Sequence, residues 1–250
     1  MRSIGKLAAA SAVVASSASL AAADNVTVHG RAQHFIAHDG LSGAKITCEE
    51  FPELTAVTDE NGLFQIEAPV GVNLTLTLEH AETRTTTAAT FTVPEGGIPQ
   101  GAETEVPFQA PTNIVFDGLV FAMSDLARLD KTKCHFCVTV AAKNKTLASS
   151  PQGEPGTVAT LYDGETGEPM EGIVQNYFGV MDGNKTNPFK RGLNATSWDG
   201  GVVWFNVPIA EKPYVIKATK PGLTFTESWL TCHVAGRFVN AAPTQGPHVV

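Results

Sequence analysis

Apolar and polar residues alternate in several short stretches of this chain, and two of those stretches echo each other. In TDENGLFQIEAP (58–69) a polar knot ending in Asn61-Gly62 runs into a strip where Phe64, Ile66 and Ala68 alternate with Leu63, Gln65 and Glu67. In TSWDGGVVWFNVP (196–208) Gly200-Gly201 leads into Val203, Phe205 and Val207, alternating with Val202, Trp204 and Asn206. Placed on Gly62 and Gly201, 139 positions apart, the copies also match Thr58 with Ser197 and Pro69 with Pro208. A period of two sends alternate side chains to one face of a strand. Each copy is therefore predicted as a hairpin turn, a half-buried strand and a Pro that ends the pairing. Phe64, Ile66, Ala68, Val203, Phe205 and Val207 form the buried faces. Asn-Gly and Gly-Gly supply the positive φ that a tight hairpin requires.

The flanks repeat too. GLSG (40–43) precedes the short strand AKITC, and GEPG (153–156) precedes TVATL. Leu74, Leu76 and Leu78 alternate after the first copy, and Tyr214, Ile216 and Ala218 after the second. Val26 to Val28 and Cys137 to Ala142 read as opening strands. Two segments break the pattern. The first is the joint over 96–133, where Leu119, Met123 and Leu126 fall at helical spacing, which predicts a short helix packed on the sheets. The second is an insertion, 175–199, which gathers Tyr177, Phe178, Met181, Phe189 and Trp198 among Gly, Asn, Lys and Arg. Long loops on a rigid scaffold tend to carry recognition. The insertion is thus expected to be dispensable for stability.

These units predict an all-β chain of two tandem Greek-key β-sandwiches, of the prealbumin or Ig-like kind, with a short helical joint. The divisions are a first sandwich over 24–95, the joint over 96–133 and an elaborated second sandwich over 134–250. The order of strand, G-x-x-G turn, T-D-x-x-G-x-F hairpin and P-x-G resembles the carboxypeptidase regulatory-like domain, through GAKITCEE and AVTDENGLFQIEAPVG. That family is related in shape to transthyretin and to the B repeats of bacterial collagen adhesins. The match covers residues 26–93 and, more loosely, 134–225. The first half is also similar to Ole e 1-like domains. The resemblance implies a sandwich fold and a non-catalytic role in folding, anchoring or recognition, and it carries over no catalytic residue. The 5-hydroxyisourate hydrolases share the transthyretin shape, but their C-terminal Tyr-Arg-Gly-Ser pattern is absent from the closing QGPHVV.

Composition narrows the function. Among 250 residues, Lys and Arg number 17 against 25 Asp and Glu, a net charge of −8. With no basic stripe to neutralise phosphates, nucleic acid is not an expected partner. Residues 1–23 read as a secretory signal peptide: Arg2 and Lys6, a small apolar run, then Ala21-Ala22-Ala23. No stretch is long enough to predict a membrane span. Sequons start at Asn25, Asn73, Asn144, Asn184 and Asn194, so a secreted, N-glycosylated protein is expected.

In an oxidising compartment Cys48, Cys134, Cys137 and Cys232 are expected to form disulfides. Cys232 would bond to Cys134 or Cys137, and the cysteine left over would pair with Cys48 and staple the halves. A bond at Cys232 would bring His135 and His233 near each other as a candidate acid–base pair. His34, His38 and Asp39 form a candidate metal set. No cofactor motif, G-x-S-x-G elbow or H-E-x-x-H is present.

Two functions are compatible with these features. In the first, the protein binds an extracellular glycan or protein through the insertion. Tyr177, Phe178 and Trp198 would give apolar contact, and Lys185, Lys190 and Arg191 a local basic cluster. In the second, it is a cofactor-independent hydrolase, lyase or isomerase acting on a small apolar molecule. Its pocket would lie between the sandwiches, walled by Phe116, Phe121 and Met123.

Overall fold

The alternation at 63–69 becomes a strand with one buried face, and the same unit returns in the second half inside a larger sheet. The computed structural model describes residues 24–101, 105–123, 128–181 and 185–250. The proposed signal peptide, Leu126 and Asn184 lie outside them. In chain order the elements of the first half are β1 (Asn25–His34), β2 (Lys45–Cys48), β3 (Thr55–Val57), β4 (Leu63–Pro69), β5 (Asn73–Leu74), β6 (Leu76–Glu79), β7 (Thr86–Thr87), β8 (Phe91–Thr92) and β9 (Val106–Ala110). Helix α1 (Asn113–Ala122) comes next. The second half holds β10 (Cys134–Thr139), β11 (Val158–Tyr162), β12 (Val174–Tyr177), β13 (Gly179–Met181), β14 (Lys185–Asn187), β15 (Gly201–Val207), β16 (Tyr214–Thr219), β17 (Ser228–Leu230) and β18 (Phe238–Ala241). Among the described residues the fold is all-β apart from α1. No described helix is long and apolar enough to cross a membrane.

In the first half, the sheet β4-β1-β9 packs on strands β3-β2-β6-β7. Val28, Phe64, Ile66, Phe108, Ile46, Leu76 and Leu78 fill the space between them. In the second half, β12-β15-β10-β18 packs on β11-β16-β17 around Phe136, Val202, Trp204, Tyr214 and Ile216. The halves are not beads on a string. One eight-stranded sheet, β12-β15-β10-β18-β7-β6-β2-β3, runs through both. Its joining step is parallel pairing of β18 with β7, Phe238 opposite Thr86 and Val239 opposite Thr87. Buried Asn240 adds a hydrogen bond from Nδ2 to the Gln109 carbonyl, 2.7 Å. The segment 96–133 thus holds a strand, β9, as well as the helix.

The internal repeat is real, but its register differs from the sequence alignment by one. Gly62 and Gly200 are the positive-φ residues, at +76° and +81°, and Gly201 is not. A Cβ on Gly62 would sit 2.1 Å from the Ala32 carbonyl oxygen, and one on Gly200 would sit 2.6 Å from that of Val140. Both turns therefore require glycine. The threonine four residues earlier does the same work in each copy. Thr58 Oγ1 accepts from the Ala44 N–H and donates to the Leu41 carbonyl, as Thr196 Oγ1 accepts from Thr157 and donates to Glu154. So Thr58 corresponds to Thr196 rather than to Ser197. Phe64 and Ile66 correspond to Val202 and Trp204.

Val203 and Phe205 are buried as expected, on strand β15, but on the opposite face, under α1. Val207 returns to the sandwich interior because the pairing of β10 with β15 slips between Cys134 and Phe136. Asn206, at φ +61°, takes up the extra residue as a bulge.

Candidate binding surface

Helix α1 starts where Thr112 caps it, its side chain accepting from the Val115 N–H at 3.2 Å. Its inner face sets Phe116, Leu119 and the adjoining Met123 against Cys137, Phe178, Val203, Phe205 and Phe238. Its outer face carries Ile114 and Phe121, 85% and 81% exposed. Phe189, from the insertion, lies against Gly118 between them, 3.9 Å from where a Cβ would stand, and is itself 46% exposed. Ile114, Phe121 and Phe189 are thus exposed on one side of the molecule from two elements, with the carboxylate residue Asp117 exposed on the same helix face. Lys190 and Arg191 come directly after Phe189 and are exposed.

The insertion is less of a loop than its sequence suggests. Its first strand, β12, is the edge of the eight-stranded sheet, paired antiparallel with β15. Tyr177 is buried, and its hydroxyl accepts from the Ala159 N–H at 3.0 Å. Phe178 is buried against Phe35, edge to face at 6.1 Å. Neither ring can present a face to a partner, because both are used in packing. Removing 175–199 would therefore open the core, contrary to the expectation of a dispensable loop. Among its described residues the large exposed side chains include Met181, Phe189, Lys190, Arg191 and Trp198. Lys185 opens β14. Thr186 donates to the Asp199 carboxylate, which also accepts from the Gly201 N–H at 2.9 Å. Burial raises the Asp199 pKa, and these hydrogen bonds oppose it. Trp198 is 55% exposed on the turn leading to β15, not among the residues of α1.

The remaining candidates disperse. Cys134 and Cys232 form a disulfide, which ties β10 to the residues after β17 and so joins the two sheets of the second half. Cys48 and Cys137 are free and buried. They do not staple the halves, because Cys48 lies in the first core and Cys137 beneath α1. Burial raises both thiols, Cys48 to about 11.

His135 and His233 flank the disulfide without forming a pair. His135 is fully buried between the rings of Phe116 and Phe205. Burial, aided by Arg84, pulls its pKa down to about 4. His233 is exposed and meets Glu49 at 3.5 Å. In the N-terminal set, His34 pairs with Asp39 at 3.1 Å while His38 Nδ1 sits 3.1 Å from Gln33 Nε2. No group of three metal-ligating side chains converges among the described residues.

Phe116 and Met123 are buried and Phe121 points away from them, so these three do not wall a common pocket. A cleft of about 890 Å³ does open between the halves, but on Phe91, Ile98, Val106, Lys143, Asn144 and His248 among others. The outer-face role of Phe121 is hidden in the sequence. Its neighbour Phe189 lies 68 positions away, and only the fold brings them together.

No family model matches the chain, and no curated protein matches it. Among solved structures, 19 chains match. The Bacillus anthracis TIE protein is 16% identical over 87% of this chain, with a TM-score of 0.27. This chain spans only 34% of that protein's length. A streptococcal ancillary pilin is 8% identical, covering 90% of this chain and 69% of its own, TM-score 0.28. The shaft pilin spaA of Lactobacillus rhamnosus GG is 11% identical, covering 88% of this chain and 98% of its own, TM-score 0.24. Superpositions at such TM-scores do not establish a common fold.

Proposed function

We propose that this is a secreted, N-glycosylated binding protein that docks an extracellular protein on the surface formed by α1 and the insertion. One observation carries the reading: Phe189 lies against Gly118, on the helix face that exposes Ile114 and Phe121 with Asp117 among them, so three large apolar side chains from two elements are exposed on one side of the molecule. Such a surface on an acidic protein marks an interaction site. Its aliphatic and aromatic mixture suits a protein face better than a sugar, and Lys190 and Arg191 add a cationic rim. The sequon residues Asn25, Asn73, Asn144 and Asn194 are exposed, which supports modification there. The tandem kinship to carboxypeptidase regulatory-like units rests on the repeat and fits a recognition role.

A photo-crosslinking residue at position 121 or 189, in protein secreted from its source, should capture an extracellular protein. The same residue at exposed Val158, on the opposite sheet, should not. Capture at 158 alone, or retention on immobilised polysaccharide that survives Phe121→Asp with Phe189→Asp, would overturn the assignment.

A further inference from the structure

A separate cavity of about 350 Å³ lies at the seam of the two halves, on different residues from the surface of Ile114, Phe121 and Phe189. Four places in the chain meet there: the turn before β7 (Thr83, Arg84), the first residue of α1 (Asn113), the approach to β10 (Lys131) and the approach to β18 (Arg237). Three of these side chains are cations, and no carboxylate of the described residues lines the cavity. On a chain of net charge −8, this clustering is a local feature that bulk composition does not supply.

Among the described residues these cations form no ion pair. The ion pairs of the described residues involve Arg31, His34, Lys212, Lys217, Lys220 and His233, and none of the three. Glu49 feels the Arg237 charge, but its carboxylate is engaged by His233 at 3.5 Å. Arg84 is held in place with its guanidinium 4.8 Å over the Phe116 ring. Like charges gathered in one recess repel unless a counter-charge joins them.

Two polar atoms here are unpartnered, and one of them, a guanidinium N–H, can only donate. Thr83 Oγ1 and Arg237 Nε are buried without a hydrogen-bond partner, and Thr83 is only 5% exposed. A buried donor left unpaired is costly, and an acceptor removes that cost. The adjacent N-terminus of the ten-residue helix α1 adds a positive dipole end.

We infer that this cavity is an oxoanion site, taking a sulfate or phosphate group, free or as the ester of a ligand, between Arg84, Lys131 and Arg237. An anion there would bridge a residue of the first half to one of the second, beside the β7–β18 pairing. Its occupancy would brace that seam.

Titration calorimetry and thermal melts with inorganic sulfate and inorganic phosphate test this, at ionic strength held constant with chloride. A saturable heat and a rise in Tm that grows with anion concentration are expected. Lys131→Gln, at an exposed position that leaves the fold intact, should weaken binding about tenfold, as should Arg237→Gln. Lys131→Arg should retain it. N-acetylglucosamine 6-sulfate and 6-phosphate separate the sources: an ester that binds more tightly than its inorganic ion assigns a ligand-borne group, and esters that fail while the ions bind assign a free ion. A Tm rise equal in wild type and Lys131→Gln, or no saturable heat with either ion, would overturn the site.

Discussion

Between Phe116 and Phe205, His135 is neutral because burial disfavours its charged form and Arg84 adds to the effect. Its folded pKa of about 4 lies below the unfolded value of about 6.5. Above about 6.5 neither state binds the proton and the group is silent. Between there and about 4 the unfolded chain takes up a proton that the folded chain refuses, so stability falls as pH drops through that window. The full loss is on the order of 3 kcal/mol. Urea melts at pH 7 and pH 4.5 should show a smaller drop for His135→Phe than for wild type. Equal drops would place the acid sensitivity elsewhere. Phe205 is 3% exposed in the same cluster, and Phe205→Ala should cost about 3 to 5 kcal/mol by denaturant melt. The thiols of Cys48 and Cys137 should react with thiol reagents only after unfolding, since burial keeps both protonated.

Among the elements, the paired turns define the repeat better than the strands they lead into. Thr58→Val and Thr196→Val should each cost about 1–3 kcal/mol, because each leaves a buried N–H, of Ala44 or Thr157, without its acceptor. A loss below about 0.5 kcal/mol for Thr196→Val, with a normal loss for Thr58→Val, would deny the equivalence. Strand β4 is legible in the sequence because its outer residues Gln65 and Glu67 are polar. Strand β15 is legible as a strand but not in its register. Two adjacent glycines conceal which one turns, and Val202 to Phe205 are apolar on both sides because α1 covers the second face. The parallel strands β9 and β18 leave no such trace. VPFQA and FVNA are buried at every position, so they show no alternation, and their pairings with β1 and β10 join segments far apart in the chain. At the candidate surface, Tyr177 and Phe178 read as loop aromatics, whereas the backbone there is already sheet and helix packing. Trp198 and the Lys190–Arg191 pair are exposed, in keeping with the reading of the insertion as a surface segment.

For the molecule as a whole, the shared sheet makes the halves one cooperative unit. Calorimetry should give a single unfolding transition, and two resolved transitions would refute that coupling. The Cys134–Cys232 bond closes a span of 98 residues, and its reduction should lower stability by about 4 to 5 kcal/mol on the chain-entropy account. Strand β18 also sets the order of events during synthesis. It lies between β10 and β7 in the sheet, yet it leaves the ribosome after both. Until then the chain holds two unfilled strand edges facing one slot, a state open to pairing with another copy. Folding of this protein therefore finishes from the inside, with a late central strand closing a gap that earlier strands must keep clear.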